Sequence, residues 1–404
     1  MQAKITKRVV DTSASEDGRD LWVWDTELKG FGLRVRPNGH KVYILEYRPG
    51  AGGRNAPKRR YTIGRHGSPW SPDSARKEAE SVLGRVRDGK DPAADKGAYR
   101  AAPTVKELGE RFITEHAEAK RKPATAKQYD YLLNQFIVPE LGQRKVADVT
   151  RQDVMKLHTS MSATPYQANR VLALVSALFT FAERVGERQD SSNPARHVER
   201  YKEHARERML SGEELARLGE ALAASKESPY AVALIKLLVF TGARLGEVQT
   251  MKWEWIDMER AEVRLPDSKT GRKTVHLPPP ALQVLAELPR QEGNLYVICG
   301  EVERSHLIGI QRPWQRIRNA AGLDGLRLHD LRHAFASVAA CSGLGLPIIG
   351  KLLGHTQAVT TMRYSHLASD PLKAAAATIA GKIADAMGMS GPSADVVEFP
   401  KNRA

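Results

Sequence analysis

The 404-residue chain predicts a multidomain α+β protein: an N-terminal three-stranded sheet plus helix, a central all-α helical bundle, and a C-terminal, mostly α domain carrying a small β-hairpin or sheet. Three observations predict it. Apolar and polar residues alternate around turn dipeptides in the first segment, helical periodicity takes over from about residue 104, and a short alternating pair returns within a helical region near 262–276. The length exceeds that of one typical domain, and 41% hydrophobic residues are ample for several cores.

In chain order, FGLRVR from Gly30, the turn PNG, and KVYILEYR read as a β-hairpin, with RRYTIG at 59–64 as a third strand. Ser71 can N-cap the following helix, Pro72 suits its first turn, and Gly89 ends it. The loop GAGGRNAPKRR carries Arg54, Lys58, Arg59 and Arg60 without an acid. Such a loop is a solvated surface or a phosphate contact, lying along a DNA backbone while strand side chains enter a groove. These elements make a domain of residues 1–92, and the small, polar, Pro-bounded stretch 93–103 reads as a linker. Helical patterns at 104–119, 124–138, 151–161 and 165–185 form a second domain, 104–189, with Thr150 and Asp153 as a cap and its partner. Arg121, Lys122 and Lys127 around its second helix, and Asn169 and Arg170 at the start of its fourth, sit near helix N-termini where a phosphate can bind.

Residues 190–208 are charged, with an early proline, and read as a second linker; 209–388 form the third domain and 389–404 a flexible tail. Within the third domain, SPYAVALIKLLVF is a buried helix broken at Thr241-Gly242, a break that lets Arg244 leave the helical packing and point outward. AEVRLP and KTVHLP flank DSKTGR, with Gly271 at a hairpin tip. The stretch His329–His366 holds two short helical runs. Leu328, Leu331, Phe335 and Val338 predict a core face, with His329, Arg332 and His333 opposite. His329 and Arg332 lie about 60° apart around the helix, so both can reach one cluster of ligand oxygens. Gly343 stops the first run, Pro347 opens the second, Gly354 precedes His355, and Tyr364 follows. Cations, imidazoles and one phenol suit a phosphodiester better than a carbonyl or a sugar. An Ala-rich helix is expected at about 370–388.

The net charge of +15 and pI near 9.7 favour a polyanionic partner. Cys299 and Cys341 are too few for a disulfide framework or a Cys-rich zinc site, and fit a reducing cytoplasm. The start of the chain has no apolar signal core, and no run of about 18 apolar residues occurs, so neither export nor membrane insertion is expected. His329 and His333 also fit H-D-x-x-H, a relative of the zinc-binding helix motif. Arg332 would repel a metal there, Asp330 is shorter than the usual Glu, and nothing nearby fixes a third ligand.

HDLRHAFAS, then LLGH, then Tyr364 nine residues after His355, together resemble the tyrosine recombinase (phage-type integrase) family. TGARLGEV at 241–248 is similar to that family's first arginine box, with Arg244 in the arginine's place. LPDSKTGRKTVHLP at 265–278 is similar to its hairpin lysine, most naturally Lys269, with Lys273 as competitor. The N-terminal third resembles the arm-site-binding domain of prophage and genomic-island integrases, and the central module their core-site-binding domain. The resemblance implies a site-specific recombinase that cleaves and rejoins DNA through a 3′-phosphotyrosyl intermediate, integrating and excising a mobile element. It implies Tyr364 as nucleophile, Arg244 and Arg332 on the phosphate oxygens, and Lys269 as general acid. His329 is then assigned to proton traffic, His355 to the phosphate and Glu247 to orienting its neighbours. No cofactor or metal is implied.

The implied partners are double-stranded DNA at core and arm attachment sites and a homotetramer on DNA, in which the terminal helix packs against an adjacent protomer. An excisionase and a DNA-bending host protein are further partners the resemblance allows. Two other readings stand beside this one. A non-catalytic DNA-binding regulator on the same scaffold need not keep nucleophile, arginines, lysine and histidines together. A type IB topoisomerase shares the chemistry, but two small DNA-binding modules upstream favour site-specific exchange.

Overall fold

The computed structural model describes residues 1–16, 18–50, 56–67, 69–204, 208–268 and 271–387, except for the side chains of 368–375. It divides into two compact units, Met1–His204 and Ala205–Ala404.

The first unit opens with an antiparallel sheet of four strands, not three: β1 (Leu21–Trp24), β2 (Phe31–Val35), β3 (Lys41–Tyr47) and β4 (Arg59–Arg65), hydrogen-bonded in that order. The extra strand, LWVW, is too short and too uniformly apolar to show period two. One face of the sheet buries Val23, Phe31, Leu33, Tyr43 and Leu45 against Ala75, Ala79 and Val82 of the helix Pro72–Arg87. Alanines on that helix allow close approach to the sheet. Ser71 caps the helix through a reciprocal bond with Ser74, and Pro72 occupies its first turn. Asp25 is almost fully buried and binds Arg76 at 2.9 Å, the Ile5 amide at 2.7 Å and the Leu28 amide at 2.9 Å. Burial alone would raise its pKa, but these partners hold it below the usual carboxylate range.

The stretch 93–103, expected as a linker, is instead covered by the helix Pro92–Ala101, capped by Asp91. The Tyr47 hydroxyl donates to Asp91 and accepts from the Ala93 amide at 2.8 Å, tying this helix to β3. Small residues bounded by a proline suit a linker, but alanine is also the best helix former and proline is at home in a first helical turn.

The helices of the central module follow the expected pattern: Val105–Phe112, Pro123–Leu132, Arg151–Ser160 and Pro165–Arg184. The first two run on into π-helical turns, Ile113–Glu118 and Leu133–Ile137. Thr104 with Glu107, and Thr150 with Asp153, form capping boxes. Leu108, Phe112, Ile137, Val175, Leu178 and Phe179 fill the core. Part of the expected second linker is docked on this module. Asn193 is buried against Ser176 and Thr180, Ala195 is buried, and the Tyr201 ring stacks on His158 at 4.5 Å.

In the second unit, the helix Pro229–Thr241 and the helix Leu328–Cys341 pack together. Fully enclosed Trp314, on the helix Gln311–Ala320, donates from its indole to the Leu326 carbonyl at 3.2 Å. A second sheet joins β5 (Ile256–Asp257), β6 (Glu262–Leu265) and β7 (Lys273–His276), with Leu265 opposite Lys273 and Gly271 in the left-handed region at the hairpin turn. The expected core face of Leu328–Cys341 needs correction at Val338, which is 50% exposed, while Arg332 on the supposed open face is 4% exposed. Ala334, Ala336, Ala339 and Ala340 are buried instead, so neighbouring helices close over most of this one. The terminal helix is Ser369–Ala386; the expected tail, 389–404, lies outside the described residues. Among the described residues no helix is long and apolar enough to cross a membrane.

Candidate active site

The helix Pro229–Thr241 ends in left-handed Gly242, where a Cβ would come within 2.6 Å of the Phe335 ring. The chain re-enters a helix at Leu245–Gln249 with Arg244 in the capping position. Arg244 thereby turns into a cleft and not outward: its guanidinium donates to Glu247 at 2.7 Å and to the Gly354 carbonyl at 3.3 Å. Arg332 comes from the other side. Its two terminal nitrogens donate to the carbonyls of Gly242 at 2.7 Å and Leu353 at 2.6 Å, so the fork is fixed by the C-terminal ends of two helices. Burial, together with the nearby Arg244 charge, lowers its pKa to about 10. Two guanidinium groups near enough for one to depress the other make the cleft a place where an anion binds favourably.

Glu247 and Lys273 complete the floor. Lys273 opens β7, its side chain is 6% exposed, and its ammonium donates to Glu247 at 2.8 Å. Its stem crosses Gly354, where a Cβ would lie 2.8 Å from Cε and where φ is +69°, so only glycine fits. Burial depresses Lys273 against the pull of Glu247. For Glu247, burial is outweighed by Lys273 and the Arg244 amide, which keep it ionised. Lys273, the competing candidate on the hairpin, faces the arginines, while Lys269 lies outside the described residues.

The helix Leu346–Leu353 ends in left-handed Gly354 and hands the chain to His355, whose Nδ1 lies 2.8 Å from the buried Thr361 hydroxyl. Burial, with Arg332 and Arg244 nearby, drives His355 down to about 4, so the ring is neutral at pH 7. Tyr364 is 5% exposed, and its hydroxyl lies 2.6 Å from Nδ1 of His333. Burial raises its pKa while Arg363 and Arg332 pull the other way. His329 stands exposed on the first turn of its helix, its ring edge-on to His333 at 5.0 Å. Among the described residues, no group of three or more His, Cys, Asp and Glu is placed to hold a metal ion.

The structure thus brings Arg244, His329, Arg332, His355 and Tyr364 into one region of the second unit. The sequence offers Lys273 only as the competitor of Lys269, and places His333 on the face of His329 and Arg332 without a part in DNA cleavage. The second histidine of HDLRH, four residues from the first and so on the same helix face, was the available signal for His333.

The basic residues of the first unit are less uniform. Arg54 lies outside the described residues. Lys58 and Arg60 pair with Glu46, and Arg59 with Asp91, so the loop that has no acid in sequence finds acids in space. Arg60 also covers the Trp22 ring at 4.3 Å, with Arg34 over the same ring at 5.2 Å and Trp24 stacked on it at 6.0 Å. This aromatic and basic face of the sheet is a surface that sequence reading missed. Lys122, Lys127 and Arg170 are exposed, but Asn169 is buried and bonds to His158, Tyr201 and Glu203, a structural role.

Three family models match the chain: the phage integrase family over residues 208–370, the phage integrase central domain over 105–200, and an arm DNA-binding domain over 5–98. A putative prophage phiRv2 integrase of Mycobacterium tuberculosis is 26% identical over 271 residues, covering 61% of this chain and 71% of that one. Among solved structures, a lambda integrase dimer bound to a core site aligns with a TM-score of 0.56 at 20% identity, covering 82% of this chain and 93% of that one. A lambda integrase tetramer bound to a Holliday junction aligns with a TM-score of 0.55 at 20% identity, covering 82% and 97%. At that identity the structural matches speak for the fold.

Proposed function

Because the chain belongs to the phage integrase family, the tyrosine recombinases that cleave and rejoin DNA strands, we propose that it is a site-specific integrase acting through a 3′-phosphotyrosyl intermediate on Tyr364. Its task is to move a mobile element into and out of DNA. The observation that carries this reading is the convergence of Arg244, Arg332, His355 and the His333–Tyr364 pair, from three separate stretches of sequence, on one cleft.

Attack by the phenol oxygen on phosphorus puts extra negative charge on the non-bridging oxygens, which the forks of Arg244 and Arg332 are placed to meet. His355, neutral, donates its ring N–H to the same phosphate. The 5′-oxygen leaves with a proton from the hairpin lysine, Lys269. The phosphotyrosyl ester retains the energy of the broken linkage, so a 5′-hydroxyl from the same or another duplex can displace the tyrosine without a nucleotide cofactor. Glu247 and Lys273 act on this centre by holding Arg244.

In this reading residues 1–92 bind arm sites, 104–189 bind core sites and 209–388 carry the chemistry. Arg34 and Arg60 on the sheet face, and Lys122, Lys127 and Arg170 at helix N-termini, supply phosphate contacts. The working form is a tetramer across two duplexes, with an excisionase and a DNA-bending protein as further partners. The terminal helix exposes Ile379 and Ile383, with Met387 just past its end continuing the four-residue spacing, an apolar stripe suited to an adjacent protomer. Leu331, Phe335, Val338, Leu344 and Leu352 line an apolar groove that suits such a helix.

A probe can be recovered from a random-sequence DNA pool by binding to the full-length protein, then nicked at successive positions so that a cleaved end diffuses away. Mixed with it, the protein should form a detergent-resistant adduct at undiminished rate in EDTA, because fixed cations neutralise the phosphate. Cleavage lost in EDTA and restored by zinc would return the HDLRH segment to a metal-binding role.

The two lysines separate on a 5′-bridging phosphorothiolate, whose thiolate leaves without a proton. Lys269→Ala should cleave the ordinary duplex about 10²-fold or more slowly and the phosphorothiolate at nearly wild-type rate. Lys273→Ala should be slow on both, since its loss takes from buried Glu247 one of the two cations it holds and loosens the carboxylate that fixes Arg244. Rescue of Lys273→Ala alone would transfer the acid role to Lys273.

A further inference from the structure

We propose that His333 is the group that takes the proton from Tyr364, a catalytic residue distinct from His329. The inference rests on the recombinase reading above and specifies how its nucleophile is activated.

The geometry is direct. The Tyr364 hydroxyl lies 2.6 Å from His333 Nδ1, a normal to short distance for a phenol donating to a ring nitrogen. His329 shows no such bond to the hydroxyl; it meets the imidazole of His333 edge-on at 5.0 Å. An unprotonated imidazole nitrogen is a far stronger acceptor than a phenol oxygen, so the stable arrangement has the hydroxyl donating and the imidazole hydrogen on Nε2. The helix holds this nitrogen in place. His333 sits between buried Arg332 and buried Ala334, and the Tyr364 ring packs among Ala336, Ala339, Ala340, Ile349 and Leu353. Neither partner can move far without disturbing a packed interface.

The charged and titratable groups around the imidazole are His329, Arg363, Asp330 and Arg327. Burial first, then His329 and Arg363, lower His333 to about 4, and burial raises Tyr364. With both groups shifted this way the proton stays on oxygen until substrate binds. A bound phosphodiester offsets the cationic field that depresses the imidazole, and the acidity of the phenol rises steeply as its oxygen bonds to phosphorus. Transfer belongs to the attack itself. The Tyr364 Oη–P bond forms, the P–O5′ bond breaks, the phenol proton passes to His333 Nδ1, and the 5′-oxygen takes its proton from the hairpin lysine. In rejoining, the 5′-hydroxyl gives its proton back to that lysine and His333 returns its own to the departing tyrosine.

The test uses single-turnover cleavage of the nicked duplexes described above by the full-length protein, with DNA binding measured in parallel at fixed salt. His333→Ala should cleave about 10²-fold or more slowly with binding unchanged. His333→Asn, which keeps an acceptor near the Nδ1 position but cannot hold a full proton, should remain slow, which separates proton transfer from simple positioning. Both should stay slow on the 5′-bridging phosphorothiolate, where the leaving group needs no proton. Their rates should rise more steeply with pH than wild type, as hydroxide replaces the missing base. Wild-type rates in His333→Ala, phosphorothiolate rescue, or recovery in His333→Asn would each overturn the assignment. If the wild-type protein forms no adduct, the recombinase reading itself falls and takes this inference with it.

Discussion

Arg332→Ala should lose strand cleavage by about 10³-fold or more, and Arg332→Lys should recover little of it. The side chain is 4% exposed, and its two donors are spent on the carbonyls of Gly242 and Leu353. A guanidinium can satisfy both and still present its remaining N–H groups to a phosphate; a lysine ammonium is a point charge that cannot span the two carbonyls. The alanine variant should also lose about 2–5 kcal/mol of stability in urea, because it leaves two buried acceptors unpaired and a cavity behind. Lysine shows which loss dominates. If Arg332→Lys unfolds near the wild-type midpoint, binds DNA and still fails to cleave, the missing fork is the cause. Cleavage by the lysine variant at the wild-type rate would contradict the role given to Arg332.

Much of this site was legible because its residues lie in local patterns with mechanical meaning. The break at Thr241-Gly242 was legible, and Gly242 does end its helix in the left-handed region, as does Gly354, read only as the residue before His355; the two deliver Arg244 and His355 to the cleft. Ser71 and Thr150 read as caps because capping is settled within four residues. What escaped depends on partners distant in sequence. Lys273 reads only as a competitor of Lys269 until Glu247, 26 residues away, is seen to bind it. His333 is one more imidazole until Tyr364, 31 residues on, meets it. Arg59 and Arg60 look unpaired in their loop, yet Asp91 and Glu46 come to them through the fold. Val338 keeps helical spacing with Leu331 but is half exposed, which a period alone cannot reveal.

Tyr364→Phe should abolish covalent attachment to DNA altogether while leaving DNA affinity nearly unchanged. Only one oxygen is removed, and the ring can still pack among Ala336, Ala340 and Leu353. No other group in the cleft is offered to take its place: His333 would lose its partner, and the arginines and Lys273 are committed to carbonyls and to Glu247. The most direct measurement is therefore to trap the adduct on the nicked duplex, digest it, and locate by mass spectrometry the residue that carries the nucleotide. The account predicts a phosphodiester on Tyr364 in the wild-type protein, joined to a 3′ strand end, and no adduct in Tyr364→Phe. A nucleotide on another tyrosine such as Tyr296, or an adduct that persists in the phenylalanine variant, would contradict it.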